Sequence, residues 1–191
     1  MNALTKIAAI AAFIASALSA NAAIINLDLL GKAGPGLLPG NENFTINGVP
    51  GSGGEVGAGI FFNDVTLSLT INIAWGSANG FTNLTGNAID GHIHGPTLSG
   101  GTASFLQNAS VAIGFPALPG GTWNPSASGG SFSGSVTLNS TQATQLLEGK
   151  FYINIHTSAN SGGEIRGNIV PEPTSLVLLS LGVVAMARRH R

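Results

Sequence analysis

Apolar and polar residues alternate with a period of two along much of this chain. Ile25, Leu27 and Leu29 are separated by Asn26 and Asp28, and Val65, Leu67, Leu69, Ile71 and Ile73 by Thr66, Ser68, Thr70 and Asn72. Phe151, Ile153 and Ile155 alternate with Tyr152, Asn154 and His156 in the same way. Successive side chains of a strand point to opposite faces, so each run predicts a strand with one buried and one wet face. Further strands are expected over 56–62, 88–93, 109–115, 132–138 and 163–169, with turn clusters such as Gly34-Pro35-Gly36 and Gly129-Gly130 between them. One segment, 141–148, reads as a helix and stops at Gly149, a residue suited to closing a helix. About eight short strands predict an all-β domain over residues 23–169, built as an antiparallel β-sandwich or Greek-key barrel. No internal repeat of fixed period occurs, and the Gly/Ser-rich stretches read as loops within one domain.

The two ends break the alternation. Residues 1–22 carry one positive charge at Lys6, an apolar run from Ile7 to Leu18, and small residues at Ala20 and Ala22. These are the three parts of a secretory signal, so a signal helix is expected over 1–22, with cleavage after Ala22 or, as the second choice, Ala20. The secretion machinery and signal peptidase are then the first partners. At the other end Val170-Pro171-Glu172-Pro173 precedes an apolar stretch, Ser175–Ala187, and the basic cluster Arg188, Arg189 and Arg191. The stretch is shorter than the roughly 20 residues that span a bilayer comfortably, and the arginines favour the cytoplasmic interface. Prolines on both sides of Glu172 keep that peptide extended and open to a processing enzyme. In their order, residues 170–191 resemble the PEP-CTERM sorting signal. The resemblance implies an exosortase-type membrane protease as partner and export to the cell envelope, cell surface or extracellular space. A short hydrophobic helix would touch the inner membrane transiently through Ser175–Ala187.

Composition narrows the classes further. Only 8% of residues are charged while 43% are hydrophobic, and there are 28 glycines, which suits strands and turns better than a helical enzyme. Four of the seven basic residues sit in the two terminal segments; between Ala23 and Val170 seven acids face three bases, a net charge of −4. Such a domain has no basic stripe for a phosphate backbone, so no nucleic-acid partner is expected. The absence of cysteine excludes disulfides, thiol catalysis and Cys-ligated metal.

Three local signals fall in order along the domain: His92-Ile-His-Gly-Pro96, then Tyr152-Ile-Asn-Ile-His-Thr157, then Gly163-Glu-Ile-Arg-Gly167. Together with Leu146-Leu147-Glu-Gly149 they resemble the CHRD domain, the module first named for chordin. The resemblance implies an extracellular β-domain and does not imply an enzyme. The favoured reading is therefore an exported envelope or biofilm-matrix β-domain without catalysis or cofactor.

The alternative is a secreted metal-binding module, redox-active if it holds copper. His92 and His94 share one face of a strand, and His156 lies on the polar side of another. Three neutral imidazoles could hold zinc or copper, although neither a fourth ligand nor a bridging aspartate stands out in the sequence. The competing expectation is that these histidines bond to Asn154, Thr157, Glu164 or the backbone. Glu164 and Arg166, also on one face, are expected to form an ion pair on the sheet. Trp75, Trp123 and Tyr152 are the residues a sugar-binding reading would need. No Ser–His–Asp spacing, paired carboxylates or phosphate loop stands out.

Overall fold

The computed structural model describes residues 23–42, 45 and 48–172. The signal segment, Pro173, the stretch Ser175–Ala187 and the arginines 188, 189 and 191 lie outside the described residues. Strands β1 (Ile24–Gly31), β4 (Gly53–Asn63), β5 (Ser68–Trp75), β6 (Ala88–His94), β7 (Val111–Gly114), β9 (Ser131–Thr137), β10 (Phe151–Thr157) and β11 (Ile165–Pro171) correspond to the eight expected from alternation. Three shorter ones, β2 (Gly34–Pro35), β3 (Leu38–Pro39) and β8 (Thr122–Asn124), are too brief to show a period.

All pairings are antiparallel and join into one sheet, ordered β7-β6-β10-β11-β1-β4-β5-β9-β8, with β2 added to β1 and β3 to β11. The sheet curls into a half-barrel, which settles the sandwich-or-barrel choice in favour of a single curved layer. Its apolar face turns inward: Leu27, Phe62, Ile71, Ile93, Ile153 and Ile169 are buried in one core. Each such side chain contributes roughly 1.5–3 kcal/mol relative to leaving it in water.

An aromatic cluster draws the two ends of the sheet together. Phe115, just after β7, stacks on Phe132 of β9 with ring centroids 4.1 Å apart. Trp123 of β8 lies 6.3 Å from Phe115 and 5.2 Å from Trp75. These rings cross over β6 at Gly91, where a Cβ would stand 2.9 Å from both Phe115 and Trp123. Any side chain at that position would push the closure apart.

Two differences from the alternation have local causes. Val65 and Leu67 were expected on a strand, but they lie in the β4–β5 turn, with Val65 exposed and Leu67 at φ 54°. The Asn63 side chain accepts hydrogen bonds from the backbone of Val65 and Thr66 at 3.0 and 2.9 Å, and this Asx turn stops the strand early. In β4 the register jumps from Glu55↔Ile73 to Ile60↔Ile71, so residues 56–59 bulge out.

The larger difference concerns β10. Its polar face was expected to be wet, yet all seven of its residues are buried. The loop following β6, the segment near Gly40 and the β10–β11 turn cover that face. Their backbone groups are satisfied by the strands' polar side chains. Asn168 donates to the Gly101 carbonyl at 2.8 Å and to Ser104 Oγ at 2.6 Å, and Asn154 donates to the carbonyls of Ile165 and Gly40. The half-barrel thus has an apolar inner core and a polar layer outside it, and the histidines lie in the second.

The expected helix forms as α1 (Ser140–Leu147). Asn139 accepts from the Gln142 backbone while Gln142 reaches back to the Asn139 backbone, a reciprocal cap.

Candidate metal centre

Asp90, His92 and His94 alternate along β6, so period two puts all three on its outer face. His156 on β10 is brought beside them because Asn154 pairs with His92 and His156 with Asp90 across the ladder. Gly95 ends the strand against β10: a Cβ there would meet the Phe151 ring at 2.3 Å, so only glycine lets the chain pass at this point. One ligand nitrogen from each of the three imidazoles lies within 4.8 Å of the others. His92 Nδ1 and His156 Nε2 are 3.1 Å apart, close to the roughly 3.3 Å between nitrogens that share a tetrahedral zinc.

The second nitrogen of each ring is held by an oxygen. His94 Nδ1 is 2.9 Å from the Ala109 carbonyl, and His156 Nδ1 is 2.9 Å from the Ser161 carbonyl. A carbonyl can only accept, so both Nδ1 atoms carry the proton and both Nε2 atoms present lone pairs. His92 Nε2 lies 3.1 Å from Asp90 Oδ2, which makes Nε2 the donor there and leaves Nδ1 bare. Each ring therefore keeps one bare nitrogen, and the facing pair at 3.1 Å repels unless a proton or a cation sits between. Carboxylate- and carbonyl-oriented imidazoles are the outer-shell arrangement found around metal ions.

Electrostatics favours the neutral form of His92 and His94, the form a metal requires. Burial pushes His92 below its ordinary value, against the raising effect of the Asp90 carboxylate, with a further lowering from His156. Burial also lowers His94, partly offset by the Ala109 carbonyl and by Glu42. His94 is 2% exposed, and its Nε2 has no hydrogen-bond partner. A buried nitrogen without a partner costs about 1–3 kcal/mol, which a bound cation would recover.

His94 is also clamped from the side. Its ring stacks on Tyr152 at 4.8 Å and 1°, and the Arg166 guanidinium caps that Tyr152 ring at 3.5 Å from the centroid. Arg166 donates to the carbonyls of Glu42, Ser104 and Gln107, the last two at 3.0 Å. Burial brings it down to about 10, opposed by the charges of Tyr152 and Glu42, so it stays cationic at neutral pH. The expected pairing of Glu164 with Arg166 gives way to a division of labour. Glu164 instead accepts from Thr85, Thr157 and Asn160 at 2.6–3.0 Å. Of the partners in the competing expectation, the backbone is the one His94 and His156 use, and these contacts do not involve Asn154, Thr157 or Glu164.

A match to the CHRD domain model covers residues 39–169, and one to the PEP-CTERM protein-sorting motif covers residues 170–191. The chain belongs to the CHRD family. Its CHRD domain includes every residue of the histidine cluster, whereas β1, placed mid-sheet between β4 and β11, precedes the matched segment. The sorting motif marks the protein for export and for processing by an exosortase, a membrane protease. No curated protein and no solved structure matches the chain. Val170 and Pro171 of the motif are the last residues of β11, paired with Asp28 and Leu27, and the Glu172 backbone donates to the Asn26 carbonyl at 3.2 Å.

The expected helix over Ser175–Ala187 falls outside the described residues, and among those described no helix is long and apolar enough to cross a membrane. Trp75 and Tyr152 are fully buried, so the sugar-stacking reading loses two of its three residues. The aspartate missed in the sequence is Asp90, whose place in Asp90-x-His92-x-His94 was a signal for it. The Ala109, Ser161 and Glu42 contributions carried no such signal, since they come from loops.

Proposed function

We propose that this CHRD domain is a non-catalytic metal-binding module of the cell envelope or surface matrix, holding one zinc or copper(II) ion through His92 Nδ1, His94 Nε2 and His156 Nε2. The observation that carries the reading is the contact of one nitrogen of each imidazole with Asp90, Ala109 or Ser161, which leaves the other nitrogen of each ring bare, with one ligand nitrogen from each within 4.8 Å of the others. Neutral imidazole suits both ions, and the ion would be the site's fixed charge. The sorting tail supplies the route: the apolar stretch Ser175–Ala187 parks the domain at the inner membrane until the protease acts near Pro171-Glu172-Pro173.

Elemental analysis of the mature protein, purified without a His-tag, tests the metal. One ion per chain is expected, lost in His92→Ala, His94→Ala and His156→Ala. Absence of stoichiometric zinc or copper after reconstitution would overturn it. Intact-mass measurement in a host carrying the protease tests the route, and retention of Arg188–Arg191 would overturn that.

A further inference from the structure

Three nitrogen ligands would leave a fourth position in a tetrahedral site, and the residues near His94 that could border it are distinct from the ligands themselves. His94, whose buried Nε2 has no hydrogen-bond partner, is one of the residues lining a shallow open pocket of about 470 Å³, together with Glu42, Asn108, Ala109, Ser110 and Val111. Asn108 Oδ1 accepts from the Tyr152 hydroxyl at 3.3 Å, which leaves its amide N–H groups for the pocket, and Ser110 adds a hydroxyl. Glu42 Oε1 stands 3.9 Å from His94 Nε2, with its side chain 30% exposed. Glu42 thus stands beside His94 Nε2 without a hydrogen bond to it. Its main-chain carbonyl is held by Arg166, which fixes where the carboxylate can reach.

We propose that the metal's fourth position is filled by a solvent water, exchangeable through this pocket, with Glu42 as the hydrogen-bond acceptor beside it, and that small monoanions displace that water. The inference rests on the metal reading above. Closed four-ligand sites are structural, whereas three protein ligands plus an accessible position admit an exogenous ligand. The charge balance sets how well anions compete. Asp90 and Glu42 together offset a divalent ion held by three neutral rings, so an incoming anion gains little from net charge and meets the Glu42 carboxylate on entry.

The experiment is a titration of the copper(II)-loaded mature protein with azide, followed by optical absorption and electron paramagnetic resonance. Azide is expected to produce a saturable azide-to-copper charge-transfer band and to alter the resonance spectrum. In Glu42→Gln, removing one nearby negative charge should tighten azide binding about fivefold, the screened value for charges at this distance in water. The azide-free resonance spectrum of that variant should match the unsubstituted protein. Copper loading at one per chain with spectra unmoved by azide in large excess would overturn the open position and leave the metal site standing. A changed azide-free spectrum or weakened copper affinity in Glu42→Gln would make Glu42 itself the fourth ligand and overturn the proposal. Failure to load copper would sink the metal reading, and this inference with it.

Discussion

Replacing Arg166 by Met tests whether the polar outer layer is a structural unit that carries the histidine site. The guanidinium is fully buried and donates to the carbonyls of Glu42, Ser104 and Gln107, besides lying over the Tyr152 ring. Methionine keeps most of the apolar stem but offers no donor, so those carbonyls lose the guanidinium, and among the described residues only that of Ser104 keeps a second donor, the Gln107 backbone N–H at 2.9 Å. Hydrogen bonds to a charged group contribute about 1.5–3 kcal/mol each, and carbonyls near a loop surface regain part of that from water. A net loss of about 3–5 kcal/mol follows, the range for removing one member of a buried charged network. In a domain of this size that lowers Tm by on the order of 10 °C. Urea unfolding of the metal-free mature protein, followed by Trp fluorescence, would measure it. Arg166→Lys should fall between, because it keeps the charge but not the fork that spans three carbonyls. The loss should be accompanied by weaker metal binding, since Gln107 and Ala109 belong to one loop and the Ala109 carbonyl orients His94. A Met variant within about 1 kcal/mol of the original, a typical surface effect, would refute the reasoning.

Asp90→Asn should weaken zinc or copper binding about 10- to 100-fold in competition titrations while leaving stoichiometry at one, because it removes the carboxylate that orients His92; unchanged affinity would count against Asp90's role. Burial, with the charges of Asp28 and Glu172, raises Glu55 above its ordinary value despite the hydrogen bond it accepts from the Leu29 backbone. For an acid with a raised folded value, the stability contribution is fully present below the unfolded value and lost as pH rises through the folded one. Glu55→Gln should therefore leave Tm unchanged near pH 4 and raise it at pH 7, and a scan showing no pH-dependent gain would contradict this.

How much of this could be read in advance depended on the range of each interaction. Strand alternation at Ile25–Leu29 and Phe151–Ile155 is a property of consecutive residues, so the eight principal strands and the all-β class were legible, as were the helix expected over 141–148, which forms over Ser140–Leu147, and the sorting motif. Turn chemistry at Asn63 is local too, but the apolar run through Val65 and Leu67 masks it. Burial of the polar face of β10 was not legible, because alternation states which residues share a face and not what covers it. Besides the adjacent β10–β11 turn, the segments that cover it come from more than 40 residues away along the chain, as in the contacts of Tyr152 with Asn108 and of Asn154 with Gly40.

The sequence by itself determined the class of fold, the export and sorting address, the mildly acidic charge of the domain and the identity of the three imidazoles. Only the tertiary structure decided that those imidazoles meet, which nitrogen of each is bare, and that Glu164 and Arg166 serve separate loops. The physical reason is that a histidine's chemistry is set by the partner of its second nitrogen. For His94 and His156 those partners are the backbone carbonyls of Ala109 and Ser161, groups every residue possesses and whose placement only folding specifies.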